Sequence, residues 1–432
     1  MNLNLYGHSE RWLMVDCGTT FNVPLDPSKD YEKGVKREEV VIPDYAFIEK
    51  EKDNLVAIVI THAHEDHIGG LTSIWPRLQC PIYATAFAAE VIRRKFINEE
   101  LYYELPLVVI NSGDQLDLGP FNVRWINITH SMIETQSLLI TTEAGAVFHT
   151  ADWKIDDAPV LGSRFKSAKF KRLANDSVLA MICDSTNAKQ PGHTESEADC
   201  AAGLHTLISK QKGRVIVSCF SSNLARLVTL IRIANKTGRY VSLFGRSMEN
   251  MLSAARSVGI WPDDLQTIPN RHVGYLPKEE VMIIATGSQG ETNSALDKFS
   301  KQSNRHCELE KGDIVIFSSV IIPGNERSIE KLIERLKALS LEVFHDETHS
   351  DCLHASGHPR QQDLFDMYRW VKPTYAVPTH GESVHMQMNA NVSYCAGVSE
   401  HLLGKNGDLF CLSPNFKKVQ NFAETGRIAI QR

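Results

Sequence analysis

Apolar residues fall along this chain in short continuous runs separated by polar turns, and those runs set the elements it predicts. Arg11-Trp-Leu-Met-Val-Asp16 reads as a strand ending in an acidic residue. Leu55-Val-Ala-Ile-Val-Ile60 reads as a buried strand rich in β-branched side chains. A helix is expected near 86–96, with short strands near 107–111, 121–128, 136–142 and 145–149. Val178-Leu-Ala-Met-Ile-Cys183 is another buried strand, ending at Asp184-Ser-Thr-Asn187. Many short strands with helices between them predict packed sheets covered outside by helices, an α/β chain.

From about 196 to 345 the rhythm changes to strand, turn and helix in repetition. Gly213-Arg-Val-Ile-Val-Ser-Cys219, Tyr240-Val-Ser-Leu-Phe244, Val281-Met-Ile-Ile-Ala285 and Asp313-Ile-Val-Ile-Phe-Ser318 are continuous rather than alternating. That pattern predicts a parallel sheet buried on both faces, a Rossmann-like unit without a dinucleotide fingerprint. Histidine-rich stretches lie on both sides of it, and after it come His354-Ala-Ser-Gly-His358 and Pro378-Thr-His-Gly-Glu382. This is the pattern of one domain inserted into another. The expected parts are 1–195, an insert 196–349, and 350–432.

The chemistry concentrates in Thr61-His-Ala-His-Glu-Asp-His-Ile-Gly-Gly70, directly after the apolar run at 55–60. Its ligand-type residues His62, His64, Asp66 and His67 fall on the loop at a strand's C-terminal end, where α/β sheets carry their chemistry. Imidazoles and a carboxylate suit Zn²⁺ or a similar borderline cation. Two cations need more ligands than this motif supplies, and further candidates also follow strands: His130, Asp152 and His380. The expected arrangement puts His62, His64 and His130 on one metal and Asp66, His67 and His380 on the other, bridged by Asp152. Such a bridge holds two cations about 3.5–4 Å apart, the spacing that clamps a phosphoryl transition state and activates a shared water. Asp16 and Asp184 are expected to orient histidines from outside the ligand set, while His149 and His385 are read as structural. The Ser-Gly link between His354 and His358 suggests a tight turn able to meet a phosphate oxygen. His358 is the expected acid for a leaving alkoxide, with His354 its support or a phosphate contact.

Composition narrows the setting. The chain has 432 residues, enough for two or three domains, with 43% hydrophobic and 23% charged residues, as in ordinary globular proteins. A net charge of −6 does not advertise a nucleic-acid binder, though metal ions and a local cationic groove can hold phosphates in an acidic protein. The basic run Arg164-Phe-Lys-Ser-Ala-Lys-Phe-Lys-Arg172 is read as a solvated surface segment rather than an RNA strip. Nine cysteines without a Cys-x-x-Cys pair point to buried thiols in a reducing compartment, rather than disulfides or a zinc knuckle. No apolar run approaches membrane-spanning length and no signal peptide is evident, so the cytoplasm is the expected location.

With those residues in place, the chain resembles the ribonuclease J family, in the β-CASP branch of the metallo-β-lactamase superfamily. The likeness rests on the 61–70 motif together with His130-Ser131, His149-Thr-Ala-Asp-Trp-Lys154, Asp184-Ser-Thr-Asn187, Thr286-Gly-Ser-Gln-Gly-Glu291, Pro323-Gly-Asn-Glu326, His354-Ala-Ser-Gly-His358 and His380-Gly-Glu382. It implies a metallo-β-lactamase αββα sandwich with an inserted Rossmann-like β-CASP domain. It also implies a ribonuclease carrying two Zn²⁺ per chain, with Mn²⁺ or Mg²⁺ as alternatives. Such an enzyme cuts single-stranded RNA endonucleolytically and from 5′ to 3′, preferring a 5′-monophosphate. Asp66, Asp184 and His358 would be catalytic. Phosphate contacts would come from Ser221-Ser222, Arg246-Ser247 and the turn of His354, Ser356 and Gly357.

Departures from the family pattern are also expected. Relatives begin with an extra strand before the segment matching Asn2–Tyr6, and they carry a C-terminal domain of roughly a hundred residues, a normal small-domain size. That domain helps relatives dimerise, so a homodimer is implied but its state is left open. After Ser131 the family's Ile-Pro-Asp-Ser reads Met132-Ile-Glu-Thr135. The competing readings are a DNA nuclease or small-molecule hydrolase on the same fold, and an RNA-binding remnant without activity. Against a small-molecule substrate stands the size of the insert, while nothing in the sequence shows which group would sense the 2′-hydroxyl that separates RNA from DNA. Against the remnant stands a filled ligand set.

Overall fold

Five of the apolar runs that precede ligand-type residues become strands of two packed sheets in the computed structural model, which describes residues 1–20, 40–346 and 349–430. The first sheet has the order Asn4–His8, Arg11–Val15, Leu55–Val59, Ile82–Ala84, Leu107–Val109, parallel except for its opening hairpin. The second has the order Glu400–His401, Tyr375–Thr379, Val178–Asp184, Gly145–His149, Gln136–Thr142, Phe121–Asn127, Gln115–Leu118. Its first four strands are parallel and the remainder antiparallel.

The two sheets meet face to face. Leu13, Val15, Ala57 and Val59 from the first interdigitate with Phe121, Val123, Trp125, Leu138 and Ile140 from the second. The outer face of the first sheet is covered by helices Leu71–Leu78 and Ala86–Asn98, and that of the second by Ser167–Arg172 and Gln361–Val371, with Ser383–Cys395 beside them. This is the expected αββα sandwich. Between strands Val178–Asp184 and Tyr375–Thr379, neighbours in the sheet, the chain makes a third sheet of five parallel strands. Its order is Tyr240–Phe244, Val281–Ala285, Val215–Ser218, Ile314–Phe317, Glu342–His345. The three central strands are buried at every position, which is why their sequences do not alternate.

Some local outcomes differ from the pattern reading. Gln115–Leu118 and Glu342–His345 are edge strands whose polar, partly exposed residues give no apolar run. Val40–Pro43 pairs antiparallel with Arg427–Ile430, a contact between remote segments that no local pattern marks. In the basic run, Phe165 and Phe170 are buried and stacked with centroids 5.0 Å apart, so its aromatics serve the core while its cations face solvent. Glu134, in the loop that departs from the family pattern, accepts a hydrogen bond from Phe87 N at the start of helix Ala86–Asn98. All nine thiols are free, and no described helix is long and apolar enough to cross a membrane.

Trp125 is fully buried between the two sheets. Trp125→Ala is expected to lower unfolding stability by about 3–5 kcal/mol in urea titrations, and a loss under about 1 kcal/mol would contradict this packing.

Candidate metal centre

Strand direction explains why remote residues meet. Gly145–His149, Val178–Asp184 and Tyr375–Thr379 are parallel neighbours, and two antiparallel steps bring Phe121–Asn127 back to the same direction. Their C-terminal ends therefore share one rim, which presents Asp152, Asp184, His380 and His130. The first sheet delivers Asp16 from Arg11–Val15 and His62, His64, Asp66 and His67 from Leu55–Val59, again at C-terminal ends.

The chain bends sharply to reach these positions. Asp16, Ala151 and His380 have φ of 64°, 55° and 52°, a left-handed conformation that costs non-glycine residues energy and clusters at functional sites. Gly18 has no room for a side chain, because a Cβ there would lie 1.7 Å from the Asp66 carbonyl oxygen. Gly357 is similar: its Cβ would lie 2.6 Å from both His130 Cε1 and Ser131 Oγ.

Two overlapping groups of ligand atoms result. In the first, His64 Nδ1 lies 3.1 Å from His62 Nε2 and 3.1 Å from His130 Nε2, with Asp152 Oδ2 at 3.9 Å from each of the latter. In the second, Asp66 Oδ2 is 3.4 Å from His67 Nε2 and 3.2 Å from His380 Nε2, while Asp152 Oδ2 is 3.1 Å from His67 Nε2. Asp152 belongs to both. Tetrahedral Zn–N bonds of about 2.0–2.1 Å imply ligand–ligand edges of roughly 3.3 Å, so the nitrogens of the first group already have the spacing of a coordination shell. Asp184 and His358 form a third grouping with Asp152 and His380.

A surrounding set of hydrogen bonds aims each ring. His67 Nδ1 donates to Asp16 Oδ2 at 2.8 Å, and His130 Nδ1 donates to the Gly357 carbonyl at 2.7 Å. Thr61 Oγ1 donates to Asp16 and meets His62 Nδ1 at 3.0 Å. Each contact occupies one ring nitrogen and leaves the other facing the centre. On the opposite side, His358 Nδ1 donates to Asp184 Oδ2 at 2.7 Å, and Thr186 Oγ1 donates to Asp184 Oδ1 at 2.7 Å while meeting His380 Nδ1 at 3.0 Å.

Electrostatics divide the rings into two sets. Burial, with His67 and His64 beside it, holds His62 well below the ordinary imidazole range; burial and His64 do the same to His130. Burial also lowers His64 to about 4. These rings are neutral, as ligands must be. Around His67 and His380 burial works in the same direction but is outweighed by carboxylates, Asp152 foremost, which push both rings up. Burial alone would raise Asp152 and Asp66, yet the imidazoles outweigh it and hold both well below the carboxylate range. The neutral nitrogens of His62, His64 and His130 beside the ionised Asp152 make a donor set suited to borderline divalent cations, and at His67 and His380 a cation would take the place of a proton. His358 is raised: burial opposes its charge, and Asp184 overcomes that.

The other sequence-singled residues have varied places. Ser356 accepts a hydrogen bond from Asn187 Nδ2 at 2.8 Å, so it and Gly357 flank the centre. His354 does not join it. Its ring lies beside Arg226, Glu197 and Lys154, because the backbone between it and His358 turns the two rings to different surroundings. Arg246 is exposed at the start of helix Arg246–Ser257, Ser222 is half-buried in the turn before helix Leu224–Lys236, and no hydrogen bond or ion pair among the described residues ties either side chain to the ligand groups. His149 is buried and bonded to Tyr6 Oη at 2.8 Å; His385 accepts from Glu382 N at the start of its own helix. Asn2, Thr61, Thr186 and Asn389 were not anticipated. Asn2 Nδ2 lies 3.2 Å from Asp66 Oδ2 and 3.0 Å from His67 Nε2, and Asn389 Nδ2 donates to the Asp184 carbonyl at 3.1 Å. Such neutral residues carry no periodic signal. For Thr61 and Thr186, adjacency to His62 and to Asp184 was the available clue.

Comparison with known proteins matches the chain in three parts. Residues 11–215 match the family model described as "Beta-lactamase superfamily domain", 212–336 "Ribonuclease J, beta-CASP domain", and 349–401 "Zn-dependent metallo-hydrolase RNA specificity domain". The chain is 38% identical over 432 residues to Ribonuclease J of Sinorhizobium meliloti, covering 99% of this chain and 75% of that protein. It is 34% identical over 411 residues to Ribonuclease J of Mycolicibacterium smegmatis, covering 94% and 71%. With Ribonuclease J of Helicobacter pylori it is 34% identical over 419 residues, covering 96% of this chain and 59% of the relative. A crystal structure of a protein of unknown function from Enterococcus faecalis superposes with a TM-score of 0.64 at 16% identity, covering 99% of this chain and 96% of that one, which speaks to the fold alone.

Gly357→Ala is expected to displace His130 and weaken divalent-metal binding about 10–100-fold in competition with a chromophoric chelator. Unchanged affinity would remove His130 from the ligand set.

Proposed function

This chain belongs to the ribonuclease J family, and from that premise we propose that it hydrolyses RNA phosphodiesters with two divalent cations held at the shared rim. The observation that carries this reading is Asp152, whose carboxylate faces both ligand groups. His62, His64 and His130 would hold one cation and Asp66, His67 and His380 the other, with Asp152 between them. Bound there, zinc, or manganese or magnesium in its place, would neutralise phosphoryl charge and acidify the attacking water.

The protein's own groups supply the rest. Asp16 and Thr61 fix His67 and His62, and the Gly357 carbonyl fixes His130. Asp184 anchors His358 through Nδ1, which leaves Nε2 to hold a proton toward the departing ribose oxygen. Burial opposes the charge of His358 and Asp184 overcomes that, raising its pKa and so favouring retention of that proton. Asn187 and Thr194 fix the turn around it, donating to the His358 carbonyl at 3.3 and 2.8 Å. Ser356 and Gly357 border the path of the scissile phosphate.

We assign 1–195 and 350–432 to the metallo-β-lactamase sandwich and 196–349 to the inserted β-CASP domain. The match of 349–401 to an RNA specificity domain supports RNA as substrate, which we take to be single-stranded. The relatives' shared name, Ribonuclease J, supports RNA cleavage; we further propose that cleavage proceeds from a 5′-monophosphorylated end as well as internally, in the cytoplasm.

Matched 5′-monophosphorylated RNA and DNA oligomers, incubated with zinc or manganese, test the substrate. RNA should be cut and DNA spared, and Asp66→Ala/His67→Ala should abolish cleavage. Equal cutting of DNA, or an unaffected double variant, would overturn the proposal. His358→Ala should lower kcat about 10²–10⁴-fold with little change in KM. A chelator should remove activity and lower Tm, because the shared ligands come from distant segments.

A further inference from the structure

A second cluster of charge is buried just behind the metal rim. Lys154 and Arg226 are fully buried, and Asp156 and Glu197 are 1% and 3% exposed. Lys154 Nζ lies 3.1 Å from Asp156 Oδ2 and 3.7 Å from Glu197 Oε1, and donates to the Glu195 carbonyl at 3.3 Å. Arg226 pairs with Glu197 at 3.2 Å and donates to the Ser318 carbonyl at 3.3 Å and the Leu353 carbonyl at 3.5 Å. Ser318 Oγ closes the circle by donating to that same Leu353 carbonyl at 2.6 Å. The His354 ring borders the group, lowered to about 3 by burial and then by Arg226, and its Nδ1 has no hydrogen-bond partner.

The members come from every part that must stay in register. Lys154 stands two residues after Asp152, and its backbone is tied to Thr129, the neighbour of His130, by Lys154 N to Thr129 O at 2.8 Å and Thr129 Oγ1 to Lys154 O at 2.6 Å. Glu197 opens helix Glu197–Ile208, where the chain leaves the sandwich. Arg226 and Ser318 lie within the insert, on helix Leu224–Lys236 and after strand Ile314–Phe317. Leu353 and His354 lie on the returning segment, ahead of His358. Buried ion pairs of this kind are poor sources of stability, since apolar residues of similar volume often serve as well or better. What a closed, satisfied ionic circle does supply is one fixed arrangement of the segments it joins.

We propose that Lys154 is a positioning residue, which with Glu197 and Arg226 clamps the Asp152–His130 region to the inserted domain and so sets the geometry of the shared ligand. The proposal rests on the reading of Asp152 as the bridge between two cations. Seating of the insert and metal affinity are then linked, although no insert residue contributes a ligand.

The test measures zinc affinity of the full-length chain by chelator competition, with thermal unfolding in parallel. The variants are Lys154→Met, Lys154→Arg, Glu197→Gln and Arg226→Lys, with Asp152→Ala as reference. Lys154→Met and Glu197→Gln should weaken zinc binding about 10–100-fold, the usual effect of losing a group that orients a ligand. Lys154→Arg should recover most of that loss. If Lys154→Met does not fold, Glu197→Gln and Arg226→Lys carry the test from the insert's side. Wild-type zinc affinity in the folded variants, with only Tm lowered, would overturn the proposal and leave a structural cluster. If Asp152→Ala itself binds zinc normally, the bridge reading fails first, and this inference falls with it.

Discussion

The constraint on which the rest of the molecule depends is the crowding of like groups around Asp152. Lone pairs of His62, His64 and His130 are held about one coordination edge apart, and two carboxylates face His67 and His380 close by. Left to itself, such a set would separate, since buried nitrogens and carboxylates without compensation are costly. The fold resists that by holding each ring from behind. Asp16, Thr61 and Gly357 each contact the ring nitrogen that faces away from the shared centre, while Thr186 meets His380 Nδ1, which itself lies 3.3 Å from Asp152 Oδ1. The convergence is thus a property of the backbone and its outer hydrogen bonds, to which a cation adds its own attraction.

That arrangement explains where the chain accepts backbone strain. Left-handed φ at Asp16, Ala151 and His380 places three tight bends within or beside the ligand set. Gly18 and Gly357 are two places beside the ligand set where another segment passes too close for a Cβ. Both close approaches join segments far apart in sequence, one linking residue 18 to 66 and the other 357 to 130. They act as fixed distances between parts of the rim.

Much of this was legible in the amino-acid order, for a physical reason. A ligand that follows a strand inherits the strand's position, so a continuous apolar run followed by His or Asp marks both at once. His62, Asp152 and His380 are found this way, and so is the parallel insert, whose central strands are apolar because both faces are buried. The signal fails where a residue acts through a neutral side chain. Asn2 and Asn389 have no pattern to betray them, and Asn389 is held by remote partners, accepting from Tyr368 Oη and donating to Ser185 Oγ and the Asp184 carbonyl. It also fails for paired residues that look alike. His354 and His358 share one short motif, yet one ring joins Asp184 and the other borders Arg226. Spacing alone could not separate them, since each ring's environment is built by segments more than a hundred residues away.

The position of the insert has a consequence for how the site is completed. Four of its parts, Gly357, His358, His380 and the helix carrying Asn389, follow the insert in sequence, while the His62–His67 loop, His130, Asp152 and Asp184 precede it. The sandwich cannot present a full rim until the returning segment has docked, and that segment enters past the buried circle of Arg226, Ser318 and Leu353. Pairing of Tyr375–Thr379 with Val178–Asp184 then sets Thr379 opposite Asp184, so that His380 follows one residue beyond and meets Asp184 Oδ1 at 3.3 Å. Closing so long a loop is entropically unfavourable, and a folded insert that holds its ends together reduces that cost. A competent rim therefore follows from a folded insert. That order ties a complete set of rim residues to the presence of the inserted domain.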